Sequence, residues 1–594
     1  MIVFVLSIML VACDNILDTN SNSTFTEETS FSNYDFAKKA VAGIYFNFTA
    51  SNMHANDLIF YKLGSDIEHR TGTPDGARIS LAQYAADDGN TLVANSWNRF
   101  YQGIERANIC IENLPKSPMW ENEFAEQAQA LYAEAVALRA FCYYELISFW
   151  GDIPFKTRST QAGDNFYLPK TERDEIYEFL IQDLKDAEAY APWMSGSAEN
   201  ITKGFIKGLR ARMAMAYAGY SLRNKAEGFV TRRGRNWQEY YKIANQECRE
   251  LMESGRHRLN PSYIGIFKLL HAYSQDITNK EVLWEIAFGR GYSGRFGQMI
   301  GMQFTTNPAE PKYGRAAAEP TVPLNYFYSF DRQDLRRNVN VELYNYGDAN
   351  NLSKQRMASV TSLRPCKWRR SWIVPSMGGD LATVQVTGVN FPVMRYTDVV
   401  LLFAETENEI NGAPTTDAKN ALASIRQRAF PQELWSEKVS RYVDSVSVSK
   451  EAFFNALVDE RMWEFGGELI RKFDLVRWNL LGEKLDKMKS DISKIIDNDP
   501  EFNWVPDRIY WKQGDDGETI DILNPDYRWT GAAPAGYSNS TWGSGLSESS
   551  KTSARNYANQ CVSGYNRGKN NHLFPLNQAI MNASNNVLQN DLIP

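Results

Sequence analysis

The stretch "FAEQAQALYAEAVALRAFCYYELISFWGDIPF", residues 124–155, limits what this chain can fold into more than any other. Phe124, Ala128, Leu131, Ala135, Leu138, Cys142, Leu146 and Phe149 recur every three or four residues and draw one apolar stripe along a helix. Gly151 and Pro154 then end it. Such a helix must bury its stripe against others, and Ala133, Ala135, Ala137 and Ala140 let neighbours come close. Upstream, Trp97, Tyr101, Ile104, Asn108 and Ile111 form a second stripe, while "DEIYEFLIQDLKDAEAY" and "FIKGLRARMAMAYAGYSL" supply two more amphipathic helices. A further strong helical signal runs from about 391 to 480. The fold expected is mainly α, an array of helical hairpins with minor β.

Two segments break the pattern. From about 285 to 390 the texture turns to Gly, Pro, Arg and aromatic residues, as in "GYSGRFGQMIGMQF" and "RPCKWRRSWIVPSMGGD". From about 500 to 570 it is rich in Trp, Gly, Ser and Asn. Long irregular segments inside a helical protein are more often functional than decorative, so function is expected on these loops.

The N-terminus poses a different question. Ile2 to Ala12 is apolar except for Ser7 and reaches only about 18 Å as a helix, too short to span a bilayer. Its length fits the apolar part of a secretory signal, with Ala12 at the cleavage position, although no Lys or Arg precedes it. Leu10-Val11-Ala12-Cys13 resembles a bacterial lipobox, in which Cys13 is acylated and becomes the first residue of an anchored protein. The alternative is a buried strand with an incidental thiol. Behind Cys13, "DNILDTNSNSTFTEETS" is polar and reads as a flexible tether.

Composition fits a large body on that anchor. With 594 residues, 43% of them hydrophobic, the chain can bury a sizeable core, and no later apolar run is long enough to cross a membrane. A net charge of −7 argues against a nucleic-acid partner, which needs a basic face. Beyond Cys13, the cysteines Cys110, Cys142, Cys248, Cys366 and Cys561 are odd in number and lack CxxC pairs, and read as buried small hydrophobes.

Three helical motifs together resemble the RagB/SusD family of surface glycan-binding lipoproteins. "YAEAVALRAFCYYELISFWGDIPF" carries Glu134, Arg139, Tyr143, Gly151, Asp152 and Pro154 in the family's places. "FPVMRYTDVVLLFAETENEI" carries Arg395, Tyr396, Asp398, Glu405 and Glu409, and "DERMWEFGGELIRKFDLVRW" carries Glu460, Arg461, Glu464, Glu468, Arg471, Asp474, Arg477 and Trp478. The tail "HLFPLNQAIMNASNNVLQN" resembles the family's closing pattern. The chain departs at Glu468-Leu469, where the family has Glu-Gly, and its Gly466-Gly467 pair falls earlier, so this helix end is expected to differ. The resemblance implies a SusD-like single globular body including tetratricopeptide-like units, although no regular 34-residue period is visible. It implies residues 1–12 as signal, 13–32 as lipidated Cys13 and tether, 33–225 as an N-terminal helical region, and 226–594 as a C-terminal region with loop-rich binding segments. It further implies display on the outer membrane, capture of an oligosaccharide, and delivery to a SusC-like TonB-dependent barrel that the lipoprotein caps as a lid. No cofactor is implied. A glycoside hydrolase, or a surface binder of peptide or glycopeptide cargo, is the alternative.

The hydrolase reading draws on Glu460, Glu464 and Glu468, since glycoside hydrolysis needs two carboxylates at one bond. Spaced by four, they share one face of one helix with Arg461, Arg471 and Arg477 nearby, which predicts structural ion pairs rather than an acid and a base across a cleft. Of the five histidines, none stands at metal-ligand spacing, so no metal site is expected. Glycan binding asks for exposed aromatic faces flanked by groups that bond hydroxyls. The ring candidates are Trp97, Tyr292, Phe296, Trp368 and Trp372; the polar candidates are Asp66, Glu68, Arg70, Asn108 and Arg295.

Overall fold

The computed structural model of the protein describes residues 27–74, 76–225, 228–305, 312–347 and 354–590. Cys13, the expected signal and most of the expected tether lie outside them. The periodic stretches are helices: α1 (Tyr34–Phe46), α2 (Thr91–Asn113), α3 (Ala125–Trp150), α4 (Arg173–Ala187) and α5 (Lys203–Ala218). Helix α3 stops at Gly151, whose φ of 78° lets the chain turn as the apolar run ends. Successive helices pack on one another, α2 on α3, α3 on α4 and α4 on α5, and α5 then packs on α6 (Trp237–Glu253).

One part of this region differs from expectation. The tail of "FIKGLRARMAMAYAGYSL" leaves the helix, and β1 (Tyr220–Lys225) pairs with β2 (Gly228–Arg233) as an antiparallel hairpin. Its periodicity is hidden because a charged residue points inward: Arg223 is buried and bonds Asp174 at 2.9 Å.

The second helical block follows a two-stranded sheet in which β3 (Val282–Ile286) pairs antiparallel with β4 (Phe391–Arg395). It comprises α7 (Tyr396–Asn411), α8 (Thr416–Ala429), α9 (Lys450–Phe465), α10 (Arg471–Arg477) and α11 (Leu481–Asp497). Helix α7 lies against α6, α8 and α9, which joins the two blocks. The segment from 500 to 570 is more ordered than expected. It holds a three-stranded sheet, with β5 (Arg508–Gln513) between β6 (Ile520–Ile522) and β7 (Ser538–Thr541), and then α12 (Glu548–Gln560). The chain closes with α13 (Gln578–Ala583).

A single core cluster runs from Phe31 to Leu588, so both ends of the described chain share one interior. Cys110, Cys142, Cys248, Cys366 and Cys561 are free and buried, and burial pushes the Cys110 and Cys366 thiols up to about 12. Among the described residues no helix is long and apolar enough to cross a membrane.

Candidate functional site

The three clustered glutamates are buried, and one of them, Glu468, borders a cavity. Helix α9 ends at Phe465, because Gly466 lies against the Tyr326 hydroxyl and Gly467 turns with φ of 84°. Glu468 therefore stands beyond the helix, which corrects the single-face expectation. Their partners also differ from those nearest in sequence. Glu460 bonds Arg336 and Arg426, each at 2.7 Å. Glu464 bonds Arg336 at 3.2 Å, Arg395 at 3.0 Å and Arg428 at 2.6 Å. Glu468 bonds Lys367 at 2.5 Å and Arg395 at 2.7 Å. With Glu281 and Asp334 added, the acidic groups equal the basic ones in number. Arg461 instead bonds Asp398 and Asp474, Arg471 bonds Asp66, and Arg477 bonds Glu405.

The irregular loops are where side chains reach solvent. Three of them meet beside the N-terminus of α2. The backbone N–H of Arg295 donates to Ala55 O, Ala318 donates to Gln298 O, Glu319 donates to Met299 O, and His69 exchanges bonds with Thr321. This stitching gathers charges far apart in sequence. Arg70 bonds Glu319 at 2.8 Å, and Arg78 bonds Asp57 at 2.7 Å while its guanidinium lies 5.5 Å from the centre of the Phe60 ring. Arg295 donates to the side-chain oxygens of Gln298, at 3.2 Å, and Gln385, at 2.7 Å. Burial and the charge of Arg78 lower the Arg295 pKa, opposed by Asp57 and Glu319, so these groups share one field. Tyr292, on the same loop as Arg295, is 90% exposed. Such an open ring, three residues from Arg295 in the chain, can stack on an apolar face.

The other expected residues separate from this face. Phe296 and Trp368 are fully buried and stacked on each other with centroids 4.3 Å apart, and Trp368 donates to Gly467 O. Their expected exposure is corrected, since the loops that carry them are packed down as core. Asp66 is also buried, and Arg471 grips both its oxygens at 2.8 Å. Burial alone would raise its pKa; the guanidinium outweighs this and holds it below its ordinary value. Glu68 accepts from the backbone N–H of Gly467 at 2.5 Å, and burial pushes its carboxyl up to about 7. Asn108 is buried too, clamping the carbonyls of Lys156 and Arg158 while accepting from Arg139. Trp372 is half-buried, with the Arg369 guanidinium 4.7 Å from its ring centre. Trp97 lines a different groove, of ≈ 780 Å³, between α2, the 154–168 loop and α13. Of the expected residues, Arg70 and Arg295 belong to this half-buried charge network, and Tyr292 stands open to solvent on the Arg295 loop. Asp57, Arg78, Glu319 and Gln385 were missed, because nothing around a single polar side chain marks which segments will meet.

The described histidines are all buried. Among the described residues, the group of acids close enough together to hold a metal ion, Glu188, Glu247 and Glu250, is filled by Lys207, whose Nζ bonds all three.

These features define a large helical scaffold on which several loops and a short helix bring half-buried arginines together. Comparison with known proteins gives that scaffold a family. Residues 325–592 match the SusD family model, and residues 17–207 match a model described as starch-binding and associating with the outer membrane. The chain belongs to the SusD/RagB family. SusD-like protein P25 of Formosa agariphila is 25% identical over 508 residues, covering 79% of this chain and 88% of that protein. A SusD homolog from Bacteroides thetaiotaomicron superposes with a TM-score of 0.73 at 22% identity, covering 95% of this chain and 98% of the other. Surface glycan-binding protein A of Bacteroides thetaiotaomicron, solved in complex with laminarihexaose, superposes with a TM-score of 0.61 at 16% identity over 94% and 99% of the two chains.

Proposed function

We propose that this protein is a surface glycan-binding lipoprotein that captures an oligosaccharide at the Tyr292–Arg295 face and delivers it to a SusC-like TonB-dependent outer-membrane barrel. The observation that carries the reading is Tyr292, a ring 90% exposed on the loop that also presents Arg295. A tyrosine so open gains nothing from folding, whereas a sugar ring laid on it removes apolar surface from water. Family membership and the laminarihexaose complex of a relative with the same fold support a glycan as the ligand. The reading includes no catalytic step, in keeping with glutamates that are each held by arginine or lysine. Cys13 carries the lipid in this reading, and the tether on which the body swings as a lid is the part of residues 13–32 that precedes the Glu27–Ser30 turn of helix, because Phe31 is already seated in the core, shorter than the expected bounds.

Titration calorimetry with laminarihexaose and a panel of neutral hexasaccharides tests the binding step. Tyr292→Ala and Arg295→Ala should each weaken binding at least tenfold with unchanged circular dichroism, and release of new reducing ends would replace this reading with a hydrolase. Delivery is tested by gentle solubilisation and cross-linking: recovery without any barrel would leave a free-standing binder. Cys13→Ala should release the protein from the membrane fraction.

A further inference from the structure

We infer that the Trp97 groove is a second binding site for a neutral oligosaccharide segment, distinct from the Tyr292–Arg295 face; this rests on the reading of the protein as glycan-binding. The starting point is an unmet donor. Buried indole N–H groups in this protein find acceptors: Trp150 donates to Pro575 O, Trp284 to Glu199 O, Trp368 to Gly467 O, Trp478 to Glu405 and Trp542 to the Tyr328 hydroxyl. Trp97 is only 5% exposed, yet among the described residues nothing accepts from its Nε1–H. That N–H keeps some access to solvent, and Trp97 lines the groove. A donor so nearly enclosed favours a ligand that brings an acceptor, as a sugar hydroxyl or ring oxygen does.

The walls agree with that ligand class. Tyr101 packs beside Trp97 with ring centroids 5.0 Å apart, and its hydroxyl is already held by Pro154 O, which leaves the ring as an apolar wall. Phe166, on the facing loop, is 70% exposed and offers a second surface for sugar C–H groups. The side chain of Asn98 and the amide N–H₂ of Gln102 have no partner among the described residues, so hydroxyl-bonding groups stand next to the rings. The charges at the rim are already answered: Lys156 pairs with Glu105 at 3.5 Å and Asp164 with Arg158. No uncompensated charge is left to select an ionic ligand, and a volume of ≈ 780 Å³ falls in the range of small-ligand sites.

Calorimetry on the full chain with laminarihexaose, maltohexaose, cellohexaose and mannohexaose, one probe at a time, tests this. The wild type should show two sites for at least one probe. The double variant Asn98→Ala, Phe166→Ala, made at exposed positions, should lose one site and leave the other within twofold. Trp97→Phe keeps an aromatic ring but removes the N–H together with the five-membered ring, and should weaken that same site at least fivefold while the other site, retained within twofold, reports an intact fold. Tyr292→Ala should remove the other site alone. If Tyr292→Ala abolishes all binding while the groove variants match the wild type, the second site is overturned and the glycan-binding function stands. If no probe binds the wild type, both fall.

Discussion

Glu464 is the residue whose charge the interior needs most. It accepts from Arg336, Arg395 and Arg428, all buried, and although each keeps another carboxylate, without Glu464 the cluster holds one more cation than anion in a medium that cannot solvate the excess. Glu464→Gln should therefore cost about 3–5 kcal/mol, read as a lower denaturant midpoint. Burial opposes its ionisation, but Arg428, Arg395 and Arg336 outweigh burial and hold the carboxyl at about 2. Its folded pKa is thus below the ordinary 4.5, so the stability it supplies is complete above that value and is lost as pH falls toward 2. Glu134 and Glu285 behave oppositely. Burial pushes each up to about 7, against Tyr45 and Asn390 respectively, so their contribution is complete below 4.5 and is lost as pH rises through 7. Stability should decline on both sides of a mildly acidic optimum. Glu285→Gln should flatten the decline between pH 5 and 7; an unchanged slope there would reject its part in it.

At the scale of elements, the turn after α3 is a tight joint. Gly151 has φ of 78° and ψ of −116°, and a Cβ there would run into the Arg173 guanidinium. Gly151→Ala should cost about 1–3 kcal/mol in backbone strain alone, seen as a lower thermal midpoint with helix content retained. This joint was legible in the sequence, because an apolar stripe that ends on Gly and Pro states where its helix must stop. Helices α2 to α5 were legible for the same reason. Helix α12 was not: in "ESSKTSARNYANQ" only Ala554, Tyr557 and Ala558 are buried, too few for a stripe to stand out from a loop. The open face was half legible. Tyr292 and Arg295 sit in one short motif, whereas Asp57, Arg78 and Glu319 join them only because backbone bonds draw three loops together. Trp368 and Phe296 misled because aromatic residues on an irregular segment pack as readily as those on helices once the segment folds down on the body.

At the scale of the whole molecule, the N-terminal segment is bound into the C-terminal third. Asp66 is held by Arg471, Glu68 by the Gly467 N–H, and Lys472 donates to Tyr61 O, all in the interior. The main core cluster therefore serves both ends, with smaller clusters around Cys366 and Cys561 beside it, and ion pairs such as Asp66–Arg471 that tie the N-terminal segment to the C-terminal third lead us to expect these parts to lose structure together on denaturation. The five enclosed sulfurs turn this into something that can be timed. Being unreactive while covered, Cys110, Cys142, Cys248, Cys366 and Cys561 are stopwatches spread along the chain, each started when its own surroundings admit a small alkylating reagent. With Cys13 replaced, mass spectra should pass from no adducts directly to five; partial adducts would instead reveal which stretch opens ahead of the rest.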